Sequence, residues 1–443
     1  MISLIYPETD EGTVAQRLGA SEYSYYFVLK EFRSLLERFG PVIPISHPEH
    51  QVDAIYRSYL RHGEDCIFYS FAPPHRTFMG LECPTIPVFA WEFDTLPNEV
   101  WDGEPRHDWR LALSNYGRAL THSAFAVETT RLAMGKDFPV ASIPAPVWDR
   151  FSTLYRPVRG VVACPIELKV VGRVLDTCEF DLDLYSSAKR RVQGYAPLPN
   201  KAGPEEPPIE VRLDGVVYTA VMNPDDGRKN WFDMIGAFCF VFRDTPGATL
   251  VIKITRMESD ASISGLLEEL SKHAPFSCRV LLIDGFLSES DYQRLAQGTT
   301  FTVNTSHGEG QCLPLMEYMS AGKPAISPAH TAMADYIDTD NSFIVASHRE
   351  PTQWPQDPRR AYRTRRHRID LGSLMAAYRD SYRVAVSDPA RYAAMSSEAH
   401  ERLRQHCSLD VLTKRLESFL KLSYCRRTYS GNLTGTPSAM AVP

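Results

Sequence analysis

The feature that most constrains the fold of this 443-residue chain is an alternation, run through twice, of short β-rich stretches with stretches of helical periodicity. In the first 150 residues, "ISLIY" (2–6), "PVIPI" (41–45), "DCIFYSF" (65–71), "IPVFAWEF" (86–93) and "VASIPAP" (140–146) read as strands. Between the first two, "EYSYYFVLKEFRSLLERFG" (22–40) sets Tyr25, Val28, Leu29, Phe32, Leu35, Leu36 and Phe39 at helical spacing and stops at Gly40 before Pro41. "AFAVETTRLAMG" (124–135) reads as a further helix. Parallel strands need a crossover to join them, so this rhythm predicts a mostly parallel sheet flanked by helices.

Residues 155–215 break the rhythm with "LKVVGRVLDTCEFDLDLYSS" and the proline-rich "YAPLPNKAGPEEPPIE". They are expected to be a domain connection carrying a β-rich insertion. Alternation resumes with "VVYTAVMN" (216–223), a helix over 230–244, a strand over 248–255, a helix over 262–273 and a strand over 279–284. A helix over 288–298 and a strand over 300–306 follow. The division predicted is 1–154, the connection 155–215, and a second domain 216–394, with a closing helix about 395–425 and a disordered tail over 426–443.

Composition narrows the function classes. Hydrophobic residues make up 44% and charged residues 23%, the balance of a soluble globular protein. A formal net charge of -6 argues against a nucleic-acid partner. No apolar run approaches the ~20 residues that span a bilayer, and "MISLIYPETDEG" lacks the basic flank of a secretory signal. The nine cysteines form no C-x-x-C pair, which suits a reducing compartment and supports neither a disulfide framework nor a zinc site. The expectation is a cytoplasmic protein, with any membrane contact peripheral.

The chemistry concentrates in "NTSHGEGQCLPLMEYMSAGKPAIS" (304–327), a strand end, a glycine loop and a helix. Gly308 and Gly310 are expected to allow unusual backbone angles and close ligand approach. Pro314 suits a first helical turn and Gly322 a helix end. The free N–H groups of the helix start make an anion site. Glu309 in the loop and Glu317 in the helix can each accept hydrogen bonds from paired hydroxyls. Phosphate between two polyols describes a sugar nucleotide. The alternative is structural: loop glutamates are commonly solvated, and an early-helix glutamate is favoured by the dipole alone.

"SHGEGQCLPLMEYMSAGKPAIS" resembles the E-x7-E signature of retaining GT-B glycosyltransferases of family four (group 1), over most of 216–345 and more loosely through "IPAPVWDRF" (143–151). The resemblance implies two Rossmann-like domains facing across a cleft and a nucleoside-diphosphate-sugar donor, UDP or GDP, with no metal cofactor. It implies that Glu309 contacts the donor sugar, that the backbone of Gly310, Gln311, Cys312 and Leu313 approaches sugar and phosphate, and that Glu317 holds the ribose. A glycan or lipid-linked glycan would be the acceptor.

A leaving diphosphate needs cations, and "NPDDGRKNW" (223–231) offers Arg228 and Lys229 at a strand-to-helix turn. They resemble the family's basic element, although here the two are adjacent. The family's N-terminal glycine loop corresponds to "RLGASEYSYY" (17–26), where only Gly19 is present. Trp91, Glu92 and Asp94 of "FAWEFDTLP" (89–97) are candidates for the acceptor side, or else an aromatic core beside a solvated acid. His122 and His307 are read as structural or as polar lining. "DPRRAYRTRRHR" (357–368) carries six arginines, either a solvated face or a site for anionic lipid headgroups. Two other readings stand beside the transferase: a catalytically idle GT-B scaffold that binds a nucleotide sugar, and a sugar-nucleotide epimerase.

Overall fold

The computed structural model describes residues 1–6, 24–157, 165–194, 196–203, 205–256 and 259–427. Gly19 and residues 428–443 lie outside the described residues, while 426–427, expected to begin the tail, still belong to the last helix. Each run of alternation closes into its own sheet. The first contains β1 (Ile2–Tyr6), β2 (Val42–Pro44), β3 (Cys66–Phe71), β4 (Thr85–Phe89), β5 (Ala119–Thr121) and β6 (Val140–Ser142), in the order β2-β1-β3-β4-β5-β6. Every pair in it is parallel. All six residues of β3 are buried, which a strand tolerates when both faces of its sheet are covered. The helix Ser24–Glu37 is one such cover, burying Val28, Leu29, Phe32, Leu35 and Leu36.

The second sheet contains β7 (Ile166–Asp176), β8 (Ile209–Leu213), β9 (Val216–Met222), β10 (Ala248–Ile254), β11 (Arg279–Phe286), β12 (Phe301–Val303), β13 (Ala325–Ser327) and β14 (Ser342–Ile344). Its order is β14-β13-β12-β9-β10-β11-β7-β8. From β14 to β11 the strands are parallel, while β7 and β8 add antiparallel pairs at one edge. The β-rich insertion is thus an extension of the second sheet. Alternating burial along β7 admits Leu168 and Val170 to the same core as Val251, Leu281 and Ile283.

Two features place the site. The helices Pro389–Cys407 and Leu409–Arg427 return to the first domain, where Leu403, Leu412 and Leu416 share a core with Phe32, Leu36 and Ile67. Leu315, Met316 and Met319 of the helix Leu313–Ser320 join that same core, so the helix carrying Glu317 is buried between the two domains. The arginine-rich segment holds no helix; after a turn over 357–361 its remainder is extended. It forms β16 (Tyr362–Ile369), paired antiparallel with β15 (Ser347–Gln353) in a two-stranded hairpin.

Candidate active site

After β9 the chain builds β10 and β11 on one side, then crosses to place β12 on the other. The carboxyl ends of β9 and β12 therefore flank a switch point, where open parallel sheets present their ligand crevice. Two loops meet there. The one after β9 ends in the 3-10 turn Gly227–Lys229, where the Asp226 carboxylate accepts the Arg228 N–H at 3.1 Å. Asn230, at φ 49°, then turns the chain into the helix Trp231–Val241.

The other loop, 304–312, carries Glu309. Lys229 Nζ donates to Glu309 Oε1 at 2.6 Å, and the Ser306 hydroxyl donates to the same oxygen. Burial alone would lower the Lys229 pKa, but the Glu309 carboxylate outweighs it and raises the ammonium above its ordinary value. A small recess lies beside this pair, lined by Met222, Asn304, Ser306, Cys312 and Pro314. The helix Leu313–Ser320 begins at its wall with no side chain capping it, and Gly322, at φ 76°, ends it as expected.

The glycine loop differs from expectation in its means. Neither Gly308 nor Gly310 adopts a left-handed angle; Cys312 does, at φ 65°. The glycines are required by proximity instead. A Cβ on Gly310 would lie 2.7 Å from Ala90 Cβ, and one on Gly308 would lie 3.2 Å from the Glu92 carbonyl oxygen. The loop thus lies directly on the chain that leaves β4. Thr331, itself left-handed at φ 50°, fixes the loop from behind by accepting the Glu309 N–H at 3.1 Å.

Arg228 faces across the domain boundary. It bonds Glu92 of the first domain and Asp226 of its own turn, the latter at 2.7 Å. Burial opposes ionisation of Asp226, yet Arg228 prevails and lowers its pKa to about 2. Glu317 is also engaged. Tyr292 donates to it at 2.6 Å and Arg150 at 3.2 Å. Arg150 also reaches Glu31 at 3.1 Å, and burial raises the Glu31 carboxyl to about 7 against the pull of Arg150.

The remaining candidates have structural partners. Gln311 accepts the Ala145 N–H through Oε1, and its carbonyl accepts from the Tyr336 hydroxyl at 3.0 Å. Trp91 is buried between Phe93 and Trp109, with its indole N–H on the Thr95 carbonyl at 3.0 Å. It takes the aromatic-core alternative, and Asp94 beside it binds the hairpin rather than facing solvent. His122 is buried with its ring on the Ile143 carbonyl. Five of the six arginines in 357–368 make ion pairs within the chain, with Asp94, Glu99, Glu350 or Asp357. That pairing offsets much of the segment's positive charge within the chain.

Sequence reasoning missed Arg150, Tyr292, Ser306, Asp226 and Thr331. Arg150, Ser306 and Asp226 sit inside "IPAPVWDRF", "NTSHGEG" and "NPDDGRKNW"; Ser306 and Asp226 pair with residues of the same loop, but nothing local points Arg150 to Glu317. Among the described residues, no group of three or more His, Cys, Asp or Glu side chains is arranged to hold a metal ion. No helix among them is long and apolar enough to cross a membrane.

No protein-family model matches the chain and no curated protein matches its sequence. Solved structures do match over nearly its whole length. Sucrose-phosphate synthase from Thermosynechococcus elongatus is 15% identical, covers 96% of this chain and 99% of its own, and superposes with a TM-score of 0.54. A glycosyltransferase from Rickettsia africae ESF-5 is 12% identical, with 95% and 98% covered and a TM-score of 0.52. HepE from Anabaena, solved in complex with UDP, is 13% identical, with 95% and 99% covered and a TM-score of 0.50. At these identities the likeness defines the fold. The chain has the GT-B architecture, two Rossmann-like domains facing across a cleft.

Proposed function

We propose that this protein is a retaining glycosyltransferase that moves a sugar from a UDP- or GDP-sugar to a saccharide or lipid-linked saccharide. The observation that carries the reading is the Lys229–Glu309 pair, one cation and one carboxylate meeting from the two loops of the switch point. Solved structures of the same fold, one of them a glycosyltransferase and another holding UDP, support it by analogy.

In this reading the diphosphate displaces Glu309 from Lys229 and takes its charge-assisted hydrogen bonds. Glu309 is thereby released to accept from hydroxyls of the donor sugar. The negative charge that grows on the leaving phosphate is stabilised by Lys229 and the helix start, with no metal required. Arg228, held between Glu92 and Asp226, contributes at longer range and keeps the turn in shape. Glu317 turns from Arg150 to the ribose hydroxyls. The acceptor hydroxyl attacks from the face that the diphosphate leaves, and the leaving phosphate takes its proton. Both glutamates lie on one short segment. They cannot flank a scissile bond as a glycosidase pair does.

The test is a donor screen with UDP-, GDP- and other nucleotide sugars in EDTA, reading nucleoside diphosphate release. Release from one donor, abolished by Glu309→Gln and Lys229→Ala, is the expected result. Binding of a donor with no release moves the idle-scaffold reading ahead. A donor converted to another sugar nucleotide identifies an epimerase.

A further inference from the structure

The hairpin β15–β16 takes no part in the chemistry just described, yet it touches both domains and the glycine loop. On one side β16 is paired with β15. Its other edge would ordinarily present free N–H and C=O groups, which folded proteins cover or blunt. Here three residues of that edge, alternating at the strand period of two, are all engaged. The Arg363 carbonyl accepts the Thr95 hydroxyl at 2.9 Å, and the Arg365 N–H donates to Asp94 Oδ1 at 2.9 Å. Two residues on, the His367 N–H donates to the His307 carbonyl at 2.9 Å, and the His367 carbonyl faces His307 Nδ1 at 2.9 Å. Asp94 and Thr95 belong to the first domain. His307 is two residues before Glu309, and its own N–H donates to the Arg228 carbonyl at 2.8 Å.

The attachment to the first domain is extensive. Asp94 also accepts from the Thr364 hydroxyl at 3.1 Å and pairs with the Arg365 guanidinium at 2.5 Å. Arg359 and Arg363 both pair with Glu99, at 2.9 and 2.6 Å. Trp354, at the hairpin's turn, is 1% exposed, stacks near Trp101 and donates to Thr95. At the other end the His367 ring stacks on His330, centroids 4.1 Å apart. His330 precedes the Thr331 hydroxyl that holds the Glu309 N–H.

We propose that this hairpin is an interdomain strap that couples the seating of the first domain to the shape of the Glu309 loop, with Asp94 as the anchoring, positioning residue. A short strand is stiff along its length, so a shift of Arg365 on Asp94 is carried to His367 and from there to His307. The connection is a contiguous run of hydrogen bonds along a rigid element, one of the routes by which coupling between sites can be carried. The inference stands on geometry and goes beyond the transferase reading, so it can fail or hold independently of it.

Amide hydrogen exchange on the full chain tests it without any substrate. Asp94→Ala is expected to speed exchange roughly tenfold over 304–312 as well as over 347–369, the ratio that corresponds to ~1.4 kcal/mol of lost local stability. Exchange in β9 and β10 should stay at the wild-type rate. Asp94→Asn keeps an acceptor for the Arg365 N–H and should restore much of the protection. Thr364→Val removes only the hydroxyl bridge between Asp94 and Thr95 and should produce the same pattern more weakly, which keeps the test intact if Asp94→Ala fails to fold. Loosening confined to 94–99 and 347–369, with 304–312 unchanged, would overturn the coupling and leave the hairpin a passive peg.

Discussion

The Lys229–Glu309 pair makes a quantitative claim open to a double-mutant cycle. Its side chains are 20% and 7% exposed and meet at 2.6 Å, so each charge depends on the other to offset its desolvation. Removing one partner of a buried pair strands the other and costs ~3–5 kcal/mol. The partial exposure of Lys229 and the Ser306 hydroxyl on Glu309 place each single change at the low end, about 3 kcal/mol. Glu309→Gln and Lys229→Met are near-isosteric, so cavity terms are small. The double variant strands no charge, so its loss should be no larger than that of one single variant, giving an interaction energy of at least ~3 kcal/mol in magnitude. For a domain of about 200 residues, each single change then lowers Tm by roughly 6–12 °C, and the double by no more than one of them. Urea and thermal unfolding supply the stabilities, while nucleoside diphosphate release is read on the same preparations. Stability should recover in the double variant relative to additivity, and activity should not, because both groups are lost from the site. Strictly additive stabilities would refute the pairing. Recovered activity would refute the roles given to the two residues.

Two further predictions follow from the same surroundings. Gly310→Ala places a methyl 2.7 Å from Ala90 Cβ and should destabilise by ~1–3 kcal/mol, whereas Gly265→Ala, in the helix Asp260–His273 with open space around it, should stabilise by ~0.5–1 kcal/mol; equal Tm values for the two variants would contradict the seating of the loop on Ala90. Burial raises Glu31 from 4.5 to about 7 in the folded chain, so between those values the folded state holds a proton that the unfolded state releases, and stability falls as pH rises from 4.5 to 7. The drop attributable to Glu31 is about 3 kcal/mol, and Glu31→Gln should flatten the stability profile in that window; an unchanged profile would reject the buried, proton-holding environment.

Much of the fold was legible because its signals are local. A strand such as "CIFYSF" declares its burial in six residues, and the helix Ser24–Glu37 declares its face through apolar positions three and four apart. The β/α alternation then implied parallel sheets, and the "SHGEGQCLPLMEYMSAG" stretch located a crevice beyond the end of β12. Gly308 and Gly310 were visible as points of close approach, but not what approaches them. Their neighbours proved to be Ala90 and Glu92 of the other domain, and the left-handed angle fell to Cys312.

The sequence by itself determined two α/β domains, a glycine loop bearing Glu309, a helix bearing Glu317, and two cations at the turn after β9. Only the tertiary structure decided which charges meet. Arg228 and Glu92 are 136 residues apart, Arg150 and Glu317 are 167, and Arg365 and Asp94 are 271. Periodicity within one element says nothing about such partners. They are chosen when the closing helices pack on the first domain and bring the two sheets' crevices face to face, and the hairpin and the Arg150 cluster have no signature until then.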